Sequence, residues 1–208
     1  MRRSKEEAHQ TIRRLTEVAR AHFTEHGYVG ASLESIVQEA DVTRGAVYHH
    51  FRSKKELFRI VLEAVQLEVA EQVEAAASAA DEVWEQLYRG CRAFVLAAVE
   101  QSRKRILLVD GPAIMGWDVW RAMDEKYSMR LLREQLELMQ EQGHIPGVSA
   151  AAMAHFLSGA LNETSLWLAS RTPDAADLDN SMNVIRLFLD GIRKHREDLQ
   201  TPLLDHPQ

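Results

Sequence analysis

Apolar residues recur at three- and four-residue steps along almost the whole chain, and nowhere do they alternate with period two for long enough to make a strand. From about Ser4 to His26 the positions Ala8, Ile12, Leu15, Val18, Ala19, His22 and Phe23 fall on one helical stripe. Gly27 is placed to end that helix as a left-handed cap, with Tyr28 and Val29 plugging the corner. Ser32 can N-cap a second helix to Ala40, with Leu33, Ile36 and Val37 inward and Glu34, Ser35 and Gln38 outward. A sharp turn follows at Asp41, a residue type that tolerates the left-handed region, with Val42 as its plug. Thr43 can N-cap the short helix Arg44 to His50. Its buried side is Ala46, Val47 and Phe51, which leaves Arg44, Gly45, Tyr48 and His49 outside. Ser53-Lys54-Lys55-Glu56 matches a capping box, so a long amphipathic helix is expected from Lys54 through Leu57, Phe58, Val61, Leu62, Val65 and Val69 to about Ala79.

Beyond it, Asp81 to Gln101 has a wide apolar face that includes Trp84, Tyr88, Cys91 and Phe94. Ile106 to Val109 is a short apolar run, and Asp110-Gly111-Pro112 signals a turn. Trp117 to Gln142 is helical by period, closed by Gly143, Pro146 and Gly147. Ser149 to Ser170 is a helix rich in small residues, and Thr172-Pro173-Asp174 starts a last one to about Asp198, leaving TPLLDHPQ as a tail. The expected fold is all-α with about nine helices: an N-terminal three-helix helix-turn-helix domain at 1–53, then a larger helical bundle at 54–208.

Composition adds an asymmetry. The chain of 208 residues carries a net charge of −6, yet the first sixty residues hold 11 Lys and Arg against 8 Asp and Glu, leaving 14 against 23 for the rest. A basic start and an acidic remainder suit a division of labour in which the first part faces a polyanion. The lone Cys91 rules out an internal disulfide framework and fits a reducing, cytoplasmic setting. No apolar run is long enough to span a membrane, and no cofactor is expected.

Two short helices around a tight turn, the second with exposed Arg, Tyr and His, have the layout of a helix-turn-helix whose second helix enters a major groove. Gly45 allows close backbone approach. Arg44 has the two-pronged donor face that reads guanine or binds phosphate, and Tyr48 and His49 can donate to phosphate oxygens. Ser32, Thr43, Ser53 and Lys54 lie at helix starts, where unpaired N–H groups favour phosphate. The order Phe23, Gly27-Tyr28, Ser32, Ile36, Ala40 to Phe51 and Ser53-Lys54-Lys55-Glu56-Leu57-Phe58 resembles the N-terminal domain of TetR-family (tetracycline-repressor-like) transcriptional regulators. The resemblance covers about residues 10–60; Asp41, Ala31 and Val37 stand where that family usually has Gly, Thr and Ala. It implies double-stranded operator DNA as a partner, a small-molecule effector, and a second domain that binds the effector and dimerises.

Large, adaptable or polar residues of the second part are candidates for the effector pocket: Tyr88, Met115, Trp117, Trp120, Met123, Tyr127, His155, Phe156, Asn162 and Trp167. Their character points to a largely apolar effector. Leu178, Met182, Ile185, Leu189 and Ile192 form an apolar seam on the last helix and are candidates for a homodimer interface. His22 and His26 have the spacing of a metal pair but no third ligand, and Cys91 reads as a small buried residue. No convergent acid, base or nucleophile suggests an enzyme. The expected function is a homodimeric repressor of a pseudo-palindromic operator released by an effector; the alternative is a constitutive or activating DNA-binding protein without a ligand.

Overall fold

The computed structural model describes residues 2–171 and 175–200, with side chains described for 9–45, 47, 50–171 and 176–194. Every regular element among the described residues is helical. In order these are α1 (Arg2–Gly30), α2 (Leu33–Glu39), α3 (Arg44–Phe51), α4 (Lys54–Ser78), α5 (Val83–Val99), a π-helical segment (Arg105–Asp110), α6 (Gly111–Met115), α7 (Trp117–Lys126), α8 (Ser128–Glu141), α9 (Ala150–Ala169) and α10 (Ala175–Gln200). None of the helices is long and apolar enough to cross a membrane.

Several local expectations hold for the reason given. Ser32 accepts the N–H of Ser35 and Ser53 accepts that of Glu56 at 3.1 Å, each a side-chain cap for an orphan donor; Ser149, which the sequence did not single out as a cap, accepts that of Ala152 in the same way. Asp41 takes φ 52°, so the α2–α3 turn does use the left-handed region.

Others are corrected. Gly27 does not cap α1 but kinks it: at φ 69° and ψ 175° the chain bends and then resumes helix to Gly30. The reason is double, since a side chain disfavours that φ and the Arg105 guanidinium fills the space where a Cβ would sit. Asp110-Gly111-Pro112 is no turn. The π-helical segment passes directly into α6, whose first turn contains Pro112. The helix expected from Trp117 to Gln142 is broken at Tyr127 (φ −115°, ψ −96°) into α7 and α8. The expected start Thr172-Pro173-Asp174 and the tail TPLLDHPQ lie outside the described residues.

Two compact units share the chain: Met1–Val69 with Ala97–Tyr127, and Ala70–Leu96 with Ser128–Gln208. The first is built on Leu15, Phe23, Ile36, Val47, Leu57, Phe58 and Leu62, all fully buried. Phe58 meets the rings of Phe23 and Tyr28 edge-on at 5.1 and 5.2 Å, which ties α1 to α4. Polar ties are dense around the end of α1. Tyr28 N–H donates to Asp110 Oδ2 at 2.7 Å, Arg105 donates to the Glu25 carbonyl, and the Thr24 hydroxyl donates to the Ser102 carbonyl. Arg20 and Arg103 both pair with Glu68, adding a partly buried ionic link between α1, α4 and the segment after α5.

The second unit packs Trp84, Leu87, Cys91 and Val95 of α5, Leu136 and Met139 of α8, Met153, Ala154, Leu157 and Leu168 of α9, and Met182 and Leu189 of α10. Gln135 Nε2 donates to the Val83 carbonyl and to Gln86 Oε1, pinning α8 to the start of α5.

Candidate nucleic-acid interface

α3 is eight residues long and amphipathic only in outline, so its orientation rests on two apolar anchors. Val47 and Phe51 are 0% and 1% exposed, while Thr43, Arg44 and Gly45 at its start are exposed. The turn at Asp41 delivers Arg44 beside α2, where its guanidinium lies 3.4 Å from Glu34 Oε1; both side chains remain mostly exposed. An ion pair so open to solvent contributes little to stability and is readily exchanged for a phosphate. Ser32, Leu33, Glu34, Val37, Gln38 and Arg44 line a shallow hollow between α2 and α3. The side chains of Tyr48 and His49 lie outside the described residues.

The start of α4 is held more firmly. Lys54 Nζ sits 4.6 Å over the Tyr28 ring and donates to the Val29 carbonyl at 3.5 Å, so the ammonium covers the end of α1. Partial burial draws its pKa below the ordinary lysine value. Ser53 is exposed beside it. Arg52 and Lys55 were absent from the sequence-derived set, yet both are exposed, and Arg52 is held at φ 57° between α3 and α4. The signal available was the basic run Arg52-Ser53-Lys54-Lys55 itself.

The pocket candidates divide between the units. In the first, Trp120 is 3% exposed and spends its indole N–H on the Leu107 carbonyl at 2.8 Å, whereas its neighbour Trp117 is 63% exposed. Met123 is buried, Met115 half-buried, and Tyr127 donates its hydroxyl to Glu63 at 2.8 Å. Lys126 donates to the same carboxylate, and together they hold the Glu63 pKa below its ordinary value. In the second unit, Asn162 is buried and donates to the Ser158 carbonyl, but His155 is exposed. Tyr88 lies under Arg186, 3.6 Å from its ring. Phe156 and Trp167, both exposed, come together on an open groove of about 600 Å³ between α9 and α10, joined by Val184 and Phe188.

Along α10, Met182, Ile185 and Leu189 of the expected seam are 2%, 8% and 3% exposed and face their own unit, with Leu178 and Ile192 half-buried. Val184, Leu187 and Phe188 are the outward apolar residues. Cys91 is buried, and burial pushes its thiol up to about 12. His22 Nε2 is engaged with Glu39 at 2.8 Å. Gln66 of α4 also escaped the sequence reading: it is 1% exposed, and neither of its amide atoms has a hydrogen-bond partner.

Comparison with known proteins agrees with this arrangement. Residues 15–61 match the family described as bacterial regulatory proteins, tetR family, and residues 84–192 match the tetracyclin repressor-like C-terminal domain. The HTH-type transcriptional regulator TtgR of Pseudomonas putida is 37% identical over 83 residues, which are 40% of this chain and 39% of TtgR. AcrR of Shigella flexneri, also an HTH-type transcriptional regulator, is 37% identical over 70 residues, 34% of this chain and 33% of its own. The match thus spans about two-fifths or less of these curated relatives. A TetR-family transcriptional regulator from Pectobacterium atrosepticum has a crystal structure that superposes with a TM-score of 0.76 at 30% identity, covering 89% of this chain and 95% of that one. With more than half of its length inside the C-terminal profile and its helix-turn-helix inside the N-terminal one, this chain belongs to the TetR family.

Proposed function

We propose that the chain is a DNA-binding transcriptional regulator, acting in the cytoplasm as a homodimeric repressor of a pseudo-palindromic operator and released from it by a small, largely apolar effector. The observation that carries the DNA-binding part is the presentation of α3: Val47 and Phe51 anchor it, and Thr43, Arg44 and Gly45 stand outside in its first turn. On this reading Arg44 reads base edges, with Tyr48 and His49 following along the same helix, while Ser32, Thr43, Ser53 and Lys54 hold the backbone on either side. Arg52 and Lys55 add charge to that grip.

Residues 1–53 then serve as the reading part and 54–208 as the effector and dimerisation part. Dimerisation through α9 and α10 is supported by the outward Phe156, Trp167, Val184, Leu187 and Phe188, too many large apolar side chains on one face for a lone protomer. Two copies of α3 about 34–36 Å apart would meet successive major grooves. Effector binding tilts α4 and changes that spacing, so that only one half-site is gripped at a time.

The test is to select bound fragments from genomic DNA and measure binding to the resulting site. Lys54→Ala is expected to weaken binding on all sequences and to reduce its salt dependence. Arg44→Ala is expected to change sequence preference at one base step of each half-site, by about 1–3 kcal/mol. Equal effects of the two variants on every sequence would remove this division of roles.

A further inference from the structure

The interior of the first unit contains three buried polar side chains among its described residues: Gln66, Arg103 and Asp124. Two are accounted for by charge. Arg103 pairs with Glu68 and Glu100, and Asp124 accepts Arg121 at 2.7 Å. Gln66 is the exception, with both its carboxamide oxygen and nitrogen shielded from solvent and without a partner. It also interrupts a pattern: Leu62, Val69, Ala70 and Val73 continue the same buried face of α4 above and below it. A leucine there would complete the stripe, whereas an orphaned amide at this position costs the desolvation of two polar atoms.

Building on the effector reading above, we propose that Gln66 is the polar anchor of the effector site, and that the effector is a neutral molecule presenting one hydrogen-bond donor next to one acceptor on an apolar body. A carboxamide has one oxygen that accepts and one nitrogen that donates, so its natural complement is another amide, a lactam or an equivalent donor–acceptor pair. Ionised ligands fit poorly, because the buried charges of this unit, Arg103 and Asp124, already have partners in Glu68 and Arg121. Position also matters. Gln66 lies twelve residues after Lys54 on one uninterrupted helix, about 18 Å along its axis, so a ligand held there pulls directly on the helix whose first turn joins the DNA grip.

The test uses the full-length protein and three primary amides, octanamide, cyclohexanecarboxamide and benzamide, each beside its matched carboxylate and amine. At least one amide is expected to raise the melting temperature of the wild type and to lower its operator binding, with its acid and amine partners inert. Gln66→Leu and, as a second variant of similar length, Gln66→Met are expected to melt at or above the wild-type temperature without ligand, to bind operator normally, and to lose the amide response about tenfold. No response of the wild type to any amide, an equal response in both variants, or a lower melting temperature in both would overturn the assignment of Gln66 while leaving the regulator reading in place. Failure of every preparation to retain any genomic fragment would instead overturn that reading and this inference with it.

Discussion

At Gly27 a single hydrogen atom occupies space claimed by the Arg105 guanidinium, and the backbone there has positive φ. Gly27→Ala must therefore displace Arg105 from the Glu25 carbonyl as well as strain the chain. It is expected to destabilise the fold by about 1–3 kcal/mol, read as a lower denaturant midpoint with unchanged slope. Cys91 gives a chemical readout of the other unit. Its thiol, raised to about 12 by burial, stays protonated across the physiological range and should resist maleimide at pH 8 until the protein is unfolded. Its contribution to stability is full below the unfolded thiol range and is lost as pH rises from there towards 12. Rapid labelling of native protein would contradict the burial. At this scale Asp41, Ser32 and Ser53 were legible because their roles depend on residue type and nearest neighbours alone. Gln66 was not, because a periodicity count of apolar positions passes over a polar residue that falls in step with them.

Among the elements, the π-helical segment is the clearest case of tertiary context overriding local signals. Asp110-Gly111-Pro112 has the composition of a turn, but the Asp110 carboxylate is occupied by Tyr28 N–H and faces Arg105, and the next residues go on as helix. Nothing within a few residues of Asp110 reveals a donor 82 positions away. Asp110→Ala should leave that N–H unpaired at the kink and cost about 1–3 kcal/mol, with Asp110→Asn losing less because its amide oxygen still accepts. A second tie joins α4 to the end of α7. Glu63 is held low by Lys126 and Tyr127, so its contribution is present above the ordinary carboxylate range and is lost as pH falls from that range through the lowered folded value. Glu63→Gln should accordingly flatten the acid limb of the stability profile and match the wild type at low pH; parallel profiles would show the tie to be inert.

For the whole molecule, α4, α5 and α9 could be read from periodicity, since they fall within about two residues of their expected limits, whereas the π-helical segment, α6 and the break between α7 and α8 could not. What periodicity could not separate was which apolar face of α10 packs within the protomer and which stays exposed. The regular seam through Met182, Ile185 and Leu189 is turned inward, and Val184, Leu187 and Phe188 are left exposed. If they meet a second copy, Leu187→Glu with Phe188→Glu should halve the mass seen by sedimentation without lowering the melting temperature of the protomer by more than a few degrees. A dimer that survives both charges would place the contact elsewhere.

The knot at the end of α1 has a consequence for anyone recombining such proteins. Glu25, Tyr28 and Thr24 lie within the N-terminal family match at 15–61, but their partners Arg105, Asp110 and Ser102 come from the later part of the chain. A chimaera cut after residue 61 and fused to another member's C-terminal domain would thus inherit an α1 with three severed bonds. Transplanting the specificity of this protein means carrying residues 102–110 along with the reading head, as one inseparable cassette.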